Sequence, residues 1–228
     1  MVAALEAVAS MAAAGWVYLA IGNGMFWRAR PAVLPSARPT RKYLTVAVIP
    51  ARDEAPTIGL TVESLRHQAA EVIVVDDNSS DDTAQIAAQA GATVVHGLPL
   101  APGWTGKLWA LSQGIDRALA SSPDFLLFTD ADIVHAPDSI ASLTAKAEAE
   151  SRDLVSVMVR LRCESTAERL LIPAFVFFFF QIYPPAWTAD PNRRTAGAAG
   201  GCVLIRPEAL AKVGGMAAIR DALIDDCT

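Results

Sequence analysis

The sequence predicts an α/β chain: a mainly parallel sheet with helices on both faces, preceded by one N-terminal transmembrane helix. Three observations carry that expectation. From Tyr43 onward, short β-branched apolar runs alternate with amphipathic segments, the pattern of parallel strands joined by crossover helices. Positions 7–27 hold 21 residues without a charge, AVASMAAAGWVYLAIGNGMFW. Acidic residues directly follow two of the strand-like runs, on the sheet edge where ligands bind in folds of this kind.

Composition frames these features. Of 228 residues, 53% are hydrophobic and 19% charged, and the mean hydropathy of +0.33 is high for an ordinary water-exposed domain. The length suits one domain with an appendage. Three cysteines, Cys163, Cys202 and Cys227, form no C-x-x-C pair, which excludes a disulfide scaffold or a zinc ribbon. A net charge of −5 argues against a nucleic-acid partner.

As a helix, the run at 7–27 would cover about 30 Å, the thickness of a bilayer's hydrocarbon layer. Arg28, Arg30, Arg38, Arg41 and Lys42 follow it, and only Glu6 is charged before it. A signal peptide carries its positive charge ahead of the apolar run, whereas the positive-inside rule places residue 28 onward in the cytoplasm. Residues 1–27 are therefore expected to be a membrane anchor, the competing reading being a buried, Ala-rich helix. Residues 28–42, with three prolines and several basic residues, read as a linker along the membrane surface, leaving 43–228 as the main domain.

Within that domain, residues 43–49 (YLTVAVI) form a buried strand ended by Pro50. A helix is expected at 57–68, a second strand at 71–75 (EVIVV), a helix near 82–90 and a short strand at 93–95. A helix at 107–120 and a strand at 125–129 (FLLFT) follow, then a helix at 137–150 with Pro137 in its first turn. A strand at 154–159 and another at 203–205 complete the set. The block 170–183 (LLIPAFVFFFFQIY) is interrupted by Pro173 and stopped by Pro184 and Pro185. It fits a core helix or an interfacial segment equally, and Phe177 to Phe180 would cover every face of a helix.

Asp76 and Asp77 follow the strand EVIVV, and Asp130 and Asp132 follow FLLFT. Parallel strands bring both pairs to one edge, where four unpaired carboxylates would repel. A hard divalent cation, Mg²⁺ or Mn²⁺, completed by ligand phosphate oxygens relieves that repulsion. The plainer alternative is helix capping, which Ser79, Ser80, Asp81 and Asp82 are expected to perform. The turn after the first strand, Pro50-Ala51-Arg52-Asp53-Glu54, has no glycine until Gly59. That disfavours a dinucleotide-binding G-x-G-x-x-G site and also a nucleotidylyltransferase.

PARDE (50–54), VVDDNSSDDT (74–83), TGKLWAL (105–111) and TDADI (129–133), in this order, resemble family 2 glycosyltransferases of the GT-A fold. The resemblance covers about Tyr43 to the C-terminus. It implies an inverting, metal-assisted transferase using a nucleotide-diphosphate sugar, usually UDP-linked. By resemblance, Pro50, Ala51, Arg52 and Glu54 border the base and ribose, and Asp77 contacts the uracil or ribose with Asp76 behind it. Lys107 reaches the diphosphate unless it is a solvated helix-start lysine. Asp130 faces ribose or sugar, and Asp132 binds the metal. Gly200, Gly201 and Cys202 resemble the acceptor loop. Asp225 and Asp226 resemble the acidic pair that holds the base, with Asp226 as base and Asp225 in support where glutamate is more usual; either could be a plain helix-end carboxylate.

More narrowly, PGWTGKLWAL, TDADIVH and GGMAAIRDALIDDC resemble the hopene-associated glycosyltransferases of bacterial hopanoid clusters. This implies a lipid acceptor, a bacterial inner-membrane location and a cytoplasmic catalytic domain. The family normally continues past the acidic pair with a helix and a Q-x-x-R-W-like element, whereas this chain stops at Thr228. The expectation is thus of a C-terminally incomplete domain, with a membrane-tethered nucleotide-sugar-binding remnant as the competing reading.

Overall fold

A computed structural model describes residues 1–28, 33 and 37–222. In chain order the elements are α1 (Val2–Val17), β1 (Thr45–Ala51), α2 (Ile58–Leu65), β2 (Glu71–Asp76), α3 (Thr83–Ala90), β3 (Thr93–His96) and α4 (Gly106–Leu119). Next come β4 (Phe125–Thr129), α5 (Ser139–Ala149), β5 (Leu154–Ser156), α6 (Thr166–Ile182), α7 (Pro185–Thr188), β6 (Cys202–Ile205) and α8 (Pro207–Lys212). The chain divides into two compact units, one containing α1 with Arg160–Gly197 and the other Val33–Val159 with the segment from Ala198.

The larger unit is built on a six-stranded sheet in the order β3-β2-β1-β4-β6-β5. β1 pairs in parallel with β2 and β4, and β2 with β3. β6 pairs antiparallel with both β4 and β5, so the sheet is mixed through one reversed strand. The inner strands β1, β2 and β4 are nearly continuous apolar runs because both faces are covered. On one face Ala47, Ile49, Val74 and Leu127 pack with Ile58, Val62 and Leu65 of α2 and Ile140 and Leu143 of α5. On the other, Val46, Val48, Ile73, Val75 and Phe128 pack with Leu108, Leu111 and Ile115 of α4 and Leu210 of α8.

Local chemistry moved some expected boundaries. β1 runs through Pro50 to Ala51, although proline removes a ladder donor. Ala51 turns its carbonyl to β2, accepting from the Asp77 N–H at 2.8 Å. Pro50 therefore faces the other side, where pairing with β4 has already ended at Val48 and Phe128. Pro137 lies before α5 rather than in its first turn: the helix begins at Ser139 behind Asp138, whose φ is 66°, a left-handed conformation that aspartate tolerates. Residues 37–42 are fastened to this unit. Thr40 donates its N–H and hydroxyl to Glu148, and Arg41 pairs with Asp124 at 3.0 Å.

In the smaller unit, Val2–Arg28 is a 27-residue helical stretch of mean hydropathy 1.6, long and apolar enough to cross a membrane. No residue of α1 is buried. α6 runs through Pro173, has 17 residues and starts with a Ser165–Glu168 capping box. None of its residues is buried either, so it is not a core helix of this unit. Pro184 and Pro185 end it, as the sequence predicts.

Candidate active site

β1, β2 and β4 run in parallel and present their C-terminal ends together. The loop after β1 is locked onto the loop after β2. Asp53, at φ 55°, accepts from the Ser80 N–H at 2.7 Å, and its own N–H donates to Ser79 Oγ at 3.0 Å. The Glu54 N–H donates to Thr83 Oγ1 and the Ala55 N–H to Asp81. The Thr83 hydroxyl donates to Asp81 and holds its carboxyl below the usual carboxylate range. Ser79, Ser80 and Asp81 thus stitch two loops together instead of merely capping α3, and Asp82 makes no side-chain cap.

This scaffold frames a cleft of about 480 Å³ lined by Pro50, Ala51, Arg52, Glu54, Asp77, Lys107, Asp130 and Asp132, with Gly106, Ala110 and Ala131. Charges are partnered across it. Lys107 Nζ lies 2.9 Å from Asp130 Oδ1 and Arg52 lies 3.9 Å from Asp77. Asp76 sits beneath, buried, accepting from the Ser79 N–H at 3.2 Å with His96 at 3.5 Å. Asp132 is exposed and has no protein partner among the described residues. Gly106 opens α4 at the cleft wall, where an added Cβ would lie 3.1 Å from Asp77 Oδ2. The start of a 14-residue helix brings amide N–H groups and the positive end of its dipole to the cleft, a setting suited to an anion.

Among the described residues no three carboxylate, histidine or cysteine groups converge as a complete metal cage. The donor set nevertheless fits a hard cation. Asp130 and Asp132 supply carboxylate oxygen on an open cleft, and Mg²⁺ or Mn²⁺ characteristically takes one or two carboxylates and leaves the remainder to phosphates and water.

His135, 8% exposed, plays a structural part. The Thr129 hydroxyl donates to the Gly201 carbonyl at 3.0 Å. Its oxygen therefore receives the His135 Nε2–H at 2.9 Å, which assigns a neutral Nε2–H tautomer. Burial pushes the imidazole down from 6.5 to about 4. Because the folded value is depressed, the unfolded chain binds this proton first as pH falls. Stability is full above about pH 6.5 and declines by about 3 kcal/mol on approaching pH 4. His135→Gln, which can keep the donor without titrating, is expected to flatten the dependence of urea unfolding between those pH values. An unchanged slope would contradict the assignment.

A second cavity of about 330 Å³ adjoins the first and shares Pro50, Lys107 and Asp130 with it. Its wall is apolar, with Leu108, Phe128, Val203, Leu210, Met216 and Ile219, and Gly200 lies on its rim. Gly201 and Cys202 line neither cavity. Gly201 packs beneath Asp130, since a Cβ there would meet Ile133 at 2.9 Å and Asp130 Oδ2 at 3.5 Å. Cys202 is buried in the core face of α2 and α5, and burial, with Asp130 nearby, raises its thiol to about 11. Asp225 and Asp226 lie outside the described residues. Sequence reasoning missed Asp53 as the lock of the cleft and Gly106 as part of its wall. The acidic, serine-rich turn was a signal for the first, and the T-G-K step at the start of a helix for the second.

A mixed α/β sheet thus brings paired acids, a lysine and a helix start together at its parallel strand ends. The chain belongs to glycosyl transferase family 2, matched over residues 46–214. A 95-residue stretch is 41% identical to the 4,4'-diaponeurosporenoate glycosyltransferase of Staphylococcus aureus (strain bovine RF122 / ET3-1), covering 40% of this chain and 24% of that protein. The match thus spans about a quarter of the relative's length. Among solved structures, the glucosyl-3-phosphoglycerate synthase of Mycobacterium tuberculosis, in complex with Mn²⁺, UDP and phosphoglyceric acid, is 26% identical with a TM-score of 0.50, over 74% of this chain and 57% of that one. A mannosyltransferase from Pyrobaculum calidifontis, in complex with GDP-Man and Mn²⁺, shares the fold at TM-score 0.59 and 19% identity, over 93% of this chain and 57% of that one.

Proposed function

We propose that the chain transfers a sugar from a UDP-linked donor to an elongated apolar lipid acceptor at the cytoplasmic face of a bacterial inner membrane. The observation that carries this reading is the junction of the two cavities. A polar, acid- and lysine-lined cleft meets an apolar cavity at Pro50, Lys107 and Asp130. A diphosphate sugar suits the first, and a hydrocarbon body suits the second. The Staphylococcus aureus relative is named for transfer to diaponeurosporenoate, which supports an apolar acceptor, of hopanoid or carotenoid type.

In this reading Pro50, Ala51, Arg52 and Glu54 border the base and ribose, with Asp77 on the nucleoside and Asp76 fixing the loop behind it. Lys107 and the N–H groups of the first turn of α4 hold the diphosphate, and Asp130 faces the ribose or sugar. Asp132, with help from Asp130, holds Mg²⁺ or Mn²⁺, which when bound supplies positive charge beside the leaving diphosphate. The acceptor oxygen displaces the diphosphate at the anomeric carbon in line, and its proton passes to a carboxylate, assigned to Asp226 with Asp225 in support on the resemblance alone. Gly200 and Gly201 shape the acceptor side, and Cys202 serves it through its strand position, its thiol being buried away.

Met216 tests the acceptor half. Met216→Gln keeps the side chain's length but removes apolar lining. It is expected to raise KM for an apolar lipid acceptor by about tenfold, the equivalent of about 1.4 kcal/mol. UDP binding in Mn²⁺ should stay unchanged. If acceptor KM does not move in a UDP-sugar transfer assay, the apolar cavity does not hold the acceptor.

A further inference from the structure

We propose that α6 lies in the water–lipid boundary of a bilayer, with Leu171, Phe175, Phe178 and Ile182 inserted among the acyl chains. These four residues are 58–66% exposed. Their spacing of four, three and four residues puts them on one helical face. Exposed aromatic and aliphatic surface on that scale marks a contact with an apolar partner. At 17 residues α6 covers about 25 Å and is short of a bilayer crossing, so a position along the surface fits it better than one across.

What chooses a bilayer over another protein is the way α6 is joined to the end of the N-terminal span. Asn23, buried at 6% exposure, donates its side-chain amide to the Gln181 carbonyl at 2.8 Å. That carbonyl belongs to the last turn of α6, where helices leave acceptors unsatisfied. Phe26 is 3% exposed and meets the Phe177 ring edge-on at 5.1 Å. Gly24, at φ 61°, approaches so closely that a Cβ would lie 2.9 Å from both Pro184 Cβ and Trp187 Nε1. The C-terminal end of α6 is thereby fixed at the exit of the span. Two arginine–aromatic pairs mark the same place: Arg28 over Trp27 at 4.7 Å and Arg193 over Trp187 at 5.1 Å. Tryptophan and arginine together are characteristic of the lipid headgroup level.

The proposal rests on reading residues 1–27 as an anchor, and the experiment separates the two. The full chain carrying Cys163→Ser and Cys227→Ser receives a single new cysteine, Phe178→Cys or Val8→Cys, labelled with an environment-sensitive fluorophore in phosphatidylcholine/phosphatidylglycerol nanodiscs. Variants are first matched to the parent in circular dichroism and melting temperature. Lipids bearing a nitroxide at the fifth acyl carbon then report shallow depth, and those at the twelfth report deep insertion. The label at 178 is expected to be quenched about twofold or more strongly by the shallow lipid, as for a helix buried roughly 5–10 Å into the boundary; the label at 8, about 13 Å from the middle of the 7–27 run, should also be quenched. Quenching at 8 with none at 178 overturns the proposal and leaves the anchor standing. Quenching at 178 strongest from the deep lipid also overturns it, as does a label at 178 shielded from both lipids that cross-links to a second copy. Absence of quenching at both positions overturns the anchor reading, and the placement of α6 with it.

Discussion

Asp132→Ala is expected to abolish the metal-dependent component of UDP binding and, with it, detectable sugar transfer. Asp132 presents an exposed carboxylate on the cleft and has no protein partner among the described residues, so its removal breaks nothing in the fold. Asp130 is held by Lys107 at 2.9 Å and cannot take over without giving up that pair. Losing one of two carboxylate ligands to a hard cation removes several kcal/mol of charge stabilisation, a fall of about 100-fold or more in Mn²⁺-dependent affinity. Melting temperature should stay close to the parent's. Calorimetric titration of UDP with and without Mn²⁺ decides the point, because a variant that keeps the parent's metal response places the ion elsewhere.

The largest expected effect on stability comes from a glycine far from any charge. Gly114 lies in α4 where the helix crosses the sheet. A Cβ there would sit 2.4 Å from Val48 Cγ1 and 2.8 Å from Val75 Cγ2, both from fully buried residues of the central strands. In an open helix, Gly→Ala gains about 1 kcal/mol; here the overpacking penalty of about 1–3 kcal/mol or more outweighs it. Gly114→Ala should melt several degrees below the parent, at about 2–4 °C per kcal/mol for a chain of this size. Gly114→Val should not accumulate as folded protein. An alanine variant that melts at or above the parent's temperature would contradict the close helix–sheet packing.

Much of this fold is legible in sequence because buried parallel strands are written as unbroken apolar runs: EVIVV and FLLFT became β2 and β4 with almost no shift of boundary. The acidic residues at their ends were legible for the same reason, since strand direction alone fixes which edge they share. What escaped depended on partners distant in sequence. The reversed direction of β6 follows from its pairing with β4 and β5, which no local pattern records. Pro50 stays within β1 only because β4 stops short of it. The part played by Asp53 arises from a φ of 55° and from an acceptor, Ser79 Oγ, 26 residues away and a donor, the Ser80 N–H, 27 residues away. His135 lies three residues after Asp132, yet its ring is turned into the Thr129–Gly201 network, a placement that spacing in sequence does not record. The block 170–183 was ambiguous because composition gives hydrophobicity without saying what covers it. The joint of Asn23 and Phe26 to α6 supplied the missing neighbour.

The central claim is that the acid- and lysine-lined cleft is a metal-assisted site for a nucleotide diphosphate. It is tested most directly by titrating UDP into the full wild-type chain in nanodiscs, in Mn²⁺ and then in EDTA. Saturable binding that weakens about 100-fold or more on removing the metal is the predicted result. Binding of equal strength in EDTA, or no UDP binding in Mn²⁺, would contradict it.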